Sequence, residues 1–143
     1  MVFAVIVGLV AAVGWWAWLS RPTPLPRPPQ GPPSPLPVGQ LRLGDTVLTV
    51  EVAGTPEAQA RGLSGRAGLA ADAGMLFTYA ASTTPRFWMP QMRFALDLIW
   101  IAGGRVAAVT PGVTPDTYPD TFSPPQPVPA VLEVNAGWAA RPG

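Results

Sequence analysis

Nine of the sixteen residues from Pro22 to Pro37 are proline. Each ring fixes φ and removes an amide donor, so the run can form neither a helix nor a sheet ladder. It favours polyproline II, and at about 3.1 Å per residue it reaches up to roughly 50 Å. The run divides the chain into three parts: 1–20, a spacer over 21–38, and a domain over 39–143. Only the last part is long enough to close a core, since about 100 residues bury roughly two-thirds of their surface on folding. A proline-rich stretch can also serve as a docking motif, but a stiff spacer holding a domain off a membrane fits this position better.

Ahead of the spacer, "VFAVIVGLVAAVGWWAWL", Val2 to Leu19, carries no charged residue. As a helix it would be about 27 Å long, close to one bilayer core. Trp15, Trp16 and Trp18 crowd its end, where indole rings favour the headgroup zone. A cleaved signal peptide would want a basic start and a small-x-small exit, and "AWLSR" offers a poor cleavage site. The stretch therefore reads as an uncleaved membrane anchor. Arg21 and Arg27 follow it and no basic residue precedes it, which taken alone favours a cytoplasmic domain.

Composition narrows the chemistry. The sequence has no histidine and no cysteine, all nine cations are arginine, and the net charge is +1. No basic stripe is present to attract nucleic acid. Zinc sites built on His or Cys, Ser-His and Cys-His nucleophiles, Schiff-base lysines and phosphate loops with their lysine all drop out. No cofactor is implied. The loop "PDTYPD", with Asp116 and Asp120, has too few carboxylates for calcium, which wants six to eight oxygens.

Beyond residue 38 the pattern is that of short strands. "LRLGDTVLTVEVA" predicts a hairpin turning at Gly44-Asp45. "TPEAQARGL" predicts a short helix with Thr55 as N-cap and Pro56 at its first position, ended by Gly62 and Gly65. "GMLFTY", "RFWM", "LDLIWI", "RVAAVT" and "AVLEVN" read as further strands, with a Gly103-Gly104 turn and a long proline-rich loop between them. The expected fold is mainly β: an antiparallel β-sandwich or jelly-roll-like barrel with one or two short helices.

One stretch, "RFWMPQMRFALDLIW", surrounds Asp97 with aromatic and apolar bulk. On its strand Leu96, Leu98 and Trp100 share one face, and Asp97, Ile99 and Ile101 the other. Both faces are apolar, so the strand is expected to be central and Asp97 to lie against the core. A buried carboxylate is costly unless paired. Arg66, Arg86 and Arg93 are the candidate partners, through arginine's planar fork. A structural ion pair and a ligand-facing carboxylate both fit this pattern.

"VEVAGTPEAQARGLSGRAGLAADAGMLF", "FWMPQMRFALDLIWI", "GRV" and "AVLEVNAG" together resemble the domain-of-unknown-function family 192, over about Val47 to Gly137. The family pattern is an Ala-Arg-Gly-Leu-Met-x-Arg helix end, a Gly-Met-Leu-Phe strand, Phe-Trp-Met, and Pro-Leu-Asp-Ile-Ile-Phe. The resemblance implies a jelly-roll-like fold and a domain exported or tethered to a membrane, hence outside the cytoplasm in the cell envelope. It brings no activity with it. Met89-Pro90-Gln91-Met92 replaces the family's Met-Lys-Asn-Thr run, and Ala95-Leu96-Asp97 stands for Pro-Leu-Asp. The chain stops at Gly143, where relatives commonly continue through a helix into a final Gly-Asp-containing strand; the resemblance implies either an unpaired sheet edge, if that strand closes the sheet, or a truncated or divergent member.

Two functions follow as expectations. The first is a non-catalytic binding or accessory module, with Arg61, Arg66, Trp88, Gln91 and Asp97 as its binding surface for a small molecule, glycan or protein. The second is a carboxylate-based, glycosidase-like hydrolase using Asp97 and Glu133.

Overall fold

The structure, a computed structural model, describes residues 35–141. The apolar Val2–Leu19 segment and all but the last residues of the proline-rich spacer lie outside them. Among the described residues no helix is long and apolar enough to cross a membrane.

The chain runs β1 (Val38–Leu43), β2 (Thr46–Ala53), α1 (Pro56–Arg61), β3 (Ala73–Thr83), β4 (Leu96–Ala102), β5 (Arg105–Val113), a short 3-10 turn (Pro115–Thr117) and β6 (Val128–Asn135). The hairpin turns at Gly44-Asp45 as expected, with Gly44 at φ +59°, a left-handed conformation that glycine adopts without steric cost. In α1 the Thr55 hydroxyl accepts from the Ala58 amide at 3.2 Å, and Gly62 ends the helix at φ +50°.

The strands form one six-stranded sheet in the order β1-β2-β3-β6-β4-β5. This corrects the sandwich or barrel: among the described residues the sheet has two free edges, β1 and β5, and no second sheet faces it. All pairs are antiparallel except β2 with β3, which run parallel. Parallel neighbours need a crossover, and α1 with residues 62–72 supplies it. "RFWM" is not a strand. It makes an isolated bridge, Phe87 with Phe122, because Pro90 cannot donate to a ladder and Gln91 takes φ 57°.

β4 is central and two-faced, as its alternation predicts. Leu96, Leu98 and Trp100 enter one core cluster with Met75, Phe77, Phe87, Met89 and Val131. Ile99 enters the other with Leu48, Val50, Leu132, Val134 and Trp138. A sandwich would cover both faces with strands. Here α1, Leu63 and the 87–92 segment cover the first face, and the turn carrying Trp138 packs on the second. Phe87 sits edge-on to Phe77 (centroids 4.9 Å apart) and to Trp100 (5.6 Å), geometries that add about 0.5–1.5 kcal/mol each beyond area burial. The Trp100 indole donates to the Thr110 hydroxyl at 2.9 Å, tying β4 to β5. β3 packs so closely on β6 that a Cβ at Gly74 would lie 3.0 Å from the Glu133 carbonyl oxygen.

Candidate functional site

Asp97 is buried, 1 % exposed, as expected, but no arginine among the described residues meets it. Its Oδ1 accepts from the Gly112 amide at 2.8 Å and its Oδ2 from the Ala139 amide at 3.0 Å. The ion pair inferred from sequence is therefore corrected: backbone amides hold both oxygens of this acid, pinning β5 and the C-terminal turn to β4. Backbone amides are invisible in a sequence scan for charges, and two of them satisfy both carboxylate oxygens without a second desolvated charge.

The ion pair that does form joins Arg66 to Glu51. Nη1 reaches Oε1 at 2.7 Å and Nη2 reaches Oε2 at 2.6 Å, a bidentate fork. Hydrogen bonding to Arg66 holds the Glu51 carboxyl below its usual range. Both side chains are about a third exposed, so the pair adds little stability. It does fix the chain leaving α1 against β2.

On the face bearing α1 the registers place Glu51, Met75, Glu133 and Leu98 side by side across β2, β3, β6 and β4. At Glu133, the one member of this row to line it, opens a cleft of about 350 Å³. One wall is α1 and its exit, with Gln59, Ala60, Arg61, Gly62 and Leu63; the other is the loop carrying Arg86, Phe87, Trp88, Met89 and Met92. Phe77 and Tyr79 of β3 and Glu133 of β6 complete it. The Gly65 amide donates to the Gln91 carbonyl at 3.0 Å, joining the two walls, and the Gln59 side-chain amide donates to the Thr78 carbonyl at 2.8 Å, fastening α1 to β3.

Glu133 is the unusual group. It is 6 % exposed, and its buried Oε2 has no hydrogen-bond partner among the described residues. Burial pushes its carboxyl up to about 8, with the Arg66 charge pulling the other way. At neutral pH it is therefore mainly protonated and neutral. Burial also pushes the Tyr79 hydroxyl up to about 12, aided by the Glu133 charge.

Of the residues expected to form a binding surface, Arg61 and Trp88 line this cleft. Arg66 lines a smaller neighbouring groove of about 270 Å³ while engaged with Glu51. Gln91 is exposed and contributes its backbone carbonyl to the loop. Asp97 is on the other face of the sheet, since its neighbour Leu98 is the residue opposite Glu133. The same register overturns the hydrolase: Asp97 and Glu133 have the sheet between them and cannot flank one bond as acid and base or nucleophile. Tyr79, Gln59 and Arg86 were not singled out from sequence as binding residues, and Glu133 was named only as that hydrolase partner. Among the described residues no group of three or more acidic side chains is placed to hold a metal ion.

The cleft walls come from the "ARGL", "GMLF" and "FWM" segments, the ones that carry the family resemblance. Comparison with known proteins agrees. No curated protein matches the chain. A protein of unknown function from Novosphingobium aromaticivorans is 30 % identical, with 81 % of this chain and 86 % of that one covered, at a TM-score of 0.71. A Sinorhizobium meliloti protein provisionally described as a transcription regulator is 31 % identical, with 71 % of this chain and 81 % of that one covered, at a TM-score of 0.66. The profile of the DUF192 family, described as uncharacterized ACR, matches residues 39–143, and the chain belongs to that family.

Proposed function

We propose that the domain is a non-catalytic binding module whose cleft between α1 and the 86–92 loop takes a small, largely apolar molecule. The buried Glu133 carboxyl with its unpartnered oxygen at an apolar cleft carries this reading. Leaving such a group unsatisfied costs about 1–3 kcal/mol, which a bound molecule can relieve. An apolar lining with a few convergent polar groups is the usual make-up of small-molecule sites. Binding is favoured over turnover because the cleft offers neither a histidine nor a cysteine, and its acid has no second carboxylate on the same bond. The description of the Sinorhizobium protein finds no support here: the net charge is +1 and α1 has six residues, too short for a recognition helix.

Titrating ethylbenzene into the full chain tests the site by amide chemical shifts. Shifts should concentrate at residues 59–64, 77–79 and 86–92 and disappear in Ala60→Trp, whose indole fills the cleft. Shifts that are absent, or that persist in Ala60→Trp, remove the proposal.

The domain is further proposed to sit outside the cytoplasm, tethered by Val2–Leu19 and held off the membrane by the proline-rich run. The supporting features are 18 uncharged residues ending in tryptophans and the nine prolines that follow. The full chain should stay in the membrane pellet at alkaline pH and be digested by protease added to intact spheroplasts. Recovery in the soluble fraction would discard the tether, and protection from protease would reverse the orientation.

A further inference from the structure

We infer that Glu133 meets the bound molecule as a hydrogen-bond donor, so the cleft selects apolar ligands bearing an uncharged acceptor: a ketone, ester or amide carbonyl. The inference rests on the cleft being a binding site and adds the chemistry of what enters it.

The neighbours of Glu133 decide this. In its row across the sheet it lies between Met75 of β3 and Leu98 of β4, and neither offers an oxygen or nitrogen in its side chain. From α1, the Gln59 amide already donates to the Thr78 carbonyl, and Arg61 lines the cleft. Arg66, beyond α1, is held by Glu51 of β2. Arg86 comes from the loop and Tyr79 from β3. Among the described residues the Glu133 Oε2 has no hydrogen-bond partner. A protonated carboxyl in that position has a hydrogen to give, and an acceptor on a bound ligand can take it.

A cationic ligand is the alternative for a buried acid, and the surroundings oppose it. In the cleft itself two guanidiniums, Arg61 and Arg86, stand against one acid, Glu133. The neighbouring groove adds Glu57 and Arg66, the latter already paired with Glu51. A further positive charge would be buried among like charges, whereas a neutral carbonyl adds none.

The donor role makes binding depend on pH in a defined window. Burial pushes Glu133 up to about 8 and Tyr79 up to about 12, while Arg66 holds Glu51 below its usual range. Arginine stays charged at any pH a protein survives. Between pH 6 and 9.5, Glu133 is thus the cleft group that changes charge.

Three probes of one shape separate the possibilities: acetophenone, ethylbenzene and 1-phenylethylamine, titrated by amide chemical shift into the full chain at pH 6 and pH 9.5. At pH 6 acetophenone should bind about tenfold more tightly than ethylbenzene, the ratio one well-made hydrogen bond supplies, with the ammonium weakest. At pH 9.5 the preference for acetophenone should vanish. Glu133→Gln keeps an amide donor but cannot ionise, so its preference should hold at both pH values. Equal binding of acetophenone and ethylbenzene at pH 6 overturns the donor role while leaving the cleft a binding site. So does a preference that survives pH 9.5 in the native chain, or tightest binding by the ammonium. If none of the three binds, the binding-module reading falls and takes this one with it.

Discussion

Urea unfolding at pH 8.5 should yield a stability several kcal/mol below that at pH 5, and Glu133→Gln should abolish most of the difference. The Glu133 carboxyl is raised from the usual 4.5 to about 8 by burial. In the unfolded chain it ionises near 4.5; in the folded domain it keeps its proton until about 8. The folded state therefore binds the extra proton across that window. Its contribution is fully present below the unfolded value and is lost as pH rises through the folded one, at about 1.4 kcal/mol per pH unit. Glu51 acts in the opposite sense: its carboxyl is lowered by Arg66, so its contribution is lost as pH falls, and outside the tested range. Tyr79, pushed up to about 12, is also outside it. Parallel curves for the native chain and Glu133→Gln would show that this carboxyl ionises freely when folded.

Asp97→Ala should cost about 3 kcal/mol in chemical denaturation. It removes the acceptor from the Gly112 and Ala139 amides, and each stranded donor costs about 1–3 kcal/mol. The lower part of that range applies because both bonds are only partly buried. Asp97→Asn should cost less, about 1–2 kcal/mol, since one side-chain oxygen remains to accept while the amide group opposes the second donor. Arg86→Ala and Arg93→Ala should each fall within about 0.5 kcal/mol of the native chain, as exposed substitutions do. If Arg93→Ala matched Asp97→Ala, an ion pair and not the backbone amides would be holding the acid. A loss under about 1 kcal/mol for Asp97→Ala would mean that water replaces the carboxylate at both amides.

The two acids show where sequence reading succeeds and where it stops. Asp97 was identifiable as buried because "ALDLIWI" is apolar on both faces, and a strand of that kind has to be central. Its partners were not, because they are main-chain groups 15 and 42 residues away. Glu133 reads differently. In "AVLEVN" it alternates with Leu132 and Val134, which by itself marks its face as the wet one. That face is covered only because the α1 crossover and the 86–92 loop fold over β3 and β6. The one sequence signal was the aromatic "FWM" beside a proline, a loop rich in bulk that had to cover something.

The error in architecture has the same origin. Short strands with two apolar faces imply a layer on each side, and a second sheet is one way to supply it. Here α1, the Phe87–Met92 segment and the Trp138 turn supply the cover instead. The parallel pairing of β2 with β3 follows from α1 lying between them in the chain, a connection long enough for a crossover.

What the sequence determined alone was local: the Gly44 turn, the Thr55–Gly62 helix limits, most strand positions and the two-faced character of β4. Each rests on backbone preference or side-chain alternation within a few neighbouring residues. The tertiary structure decided the strand order, the amides around Asp97 and the enclosure of Glu133. Those depend on which distant segments meet, and the free energy of a buried carboxyl is set by the groups it meets there.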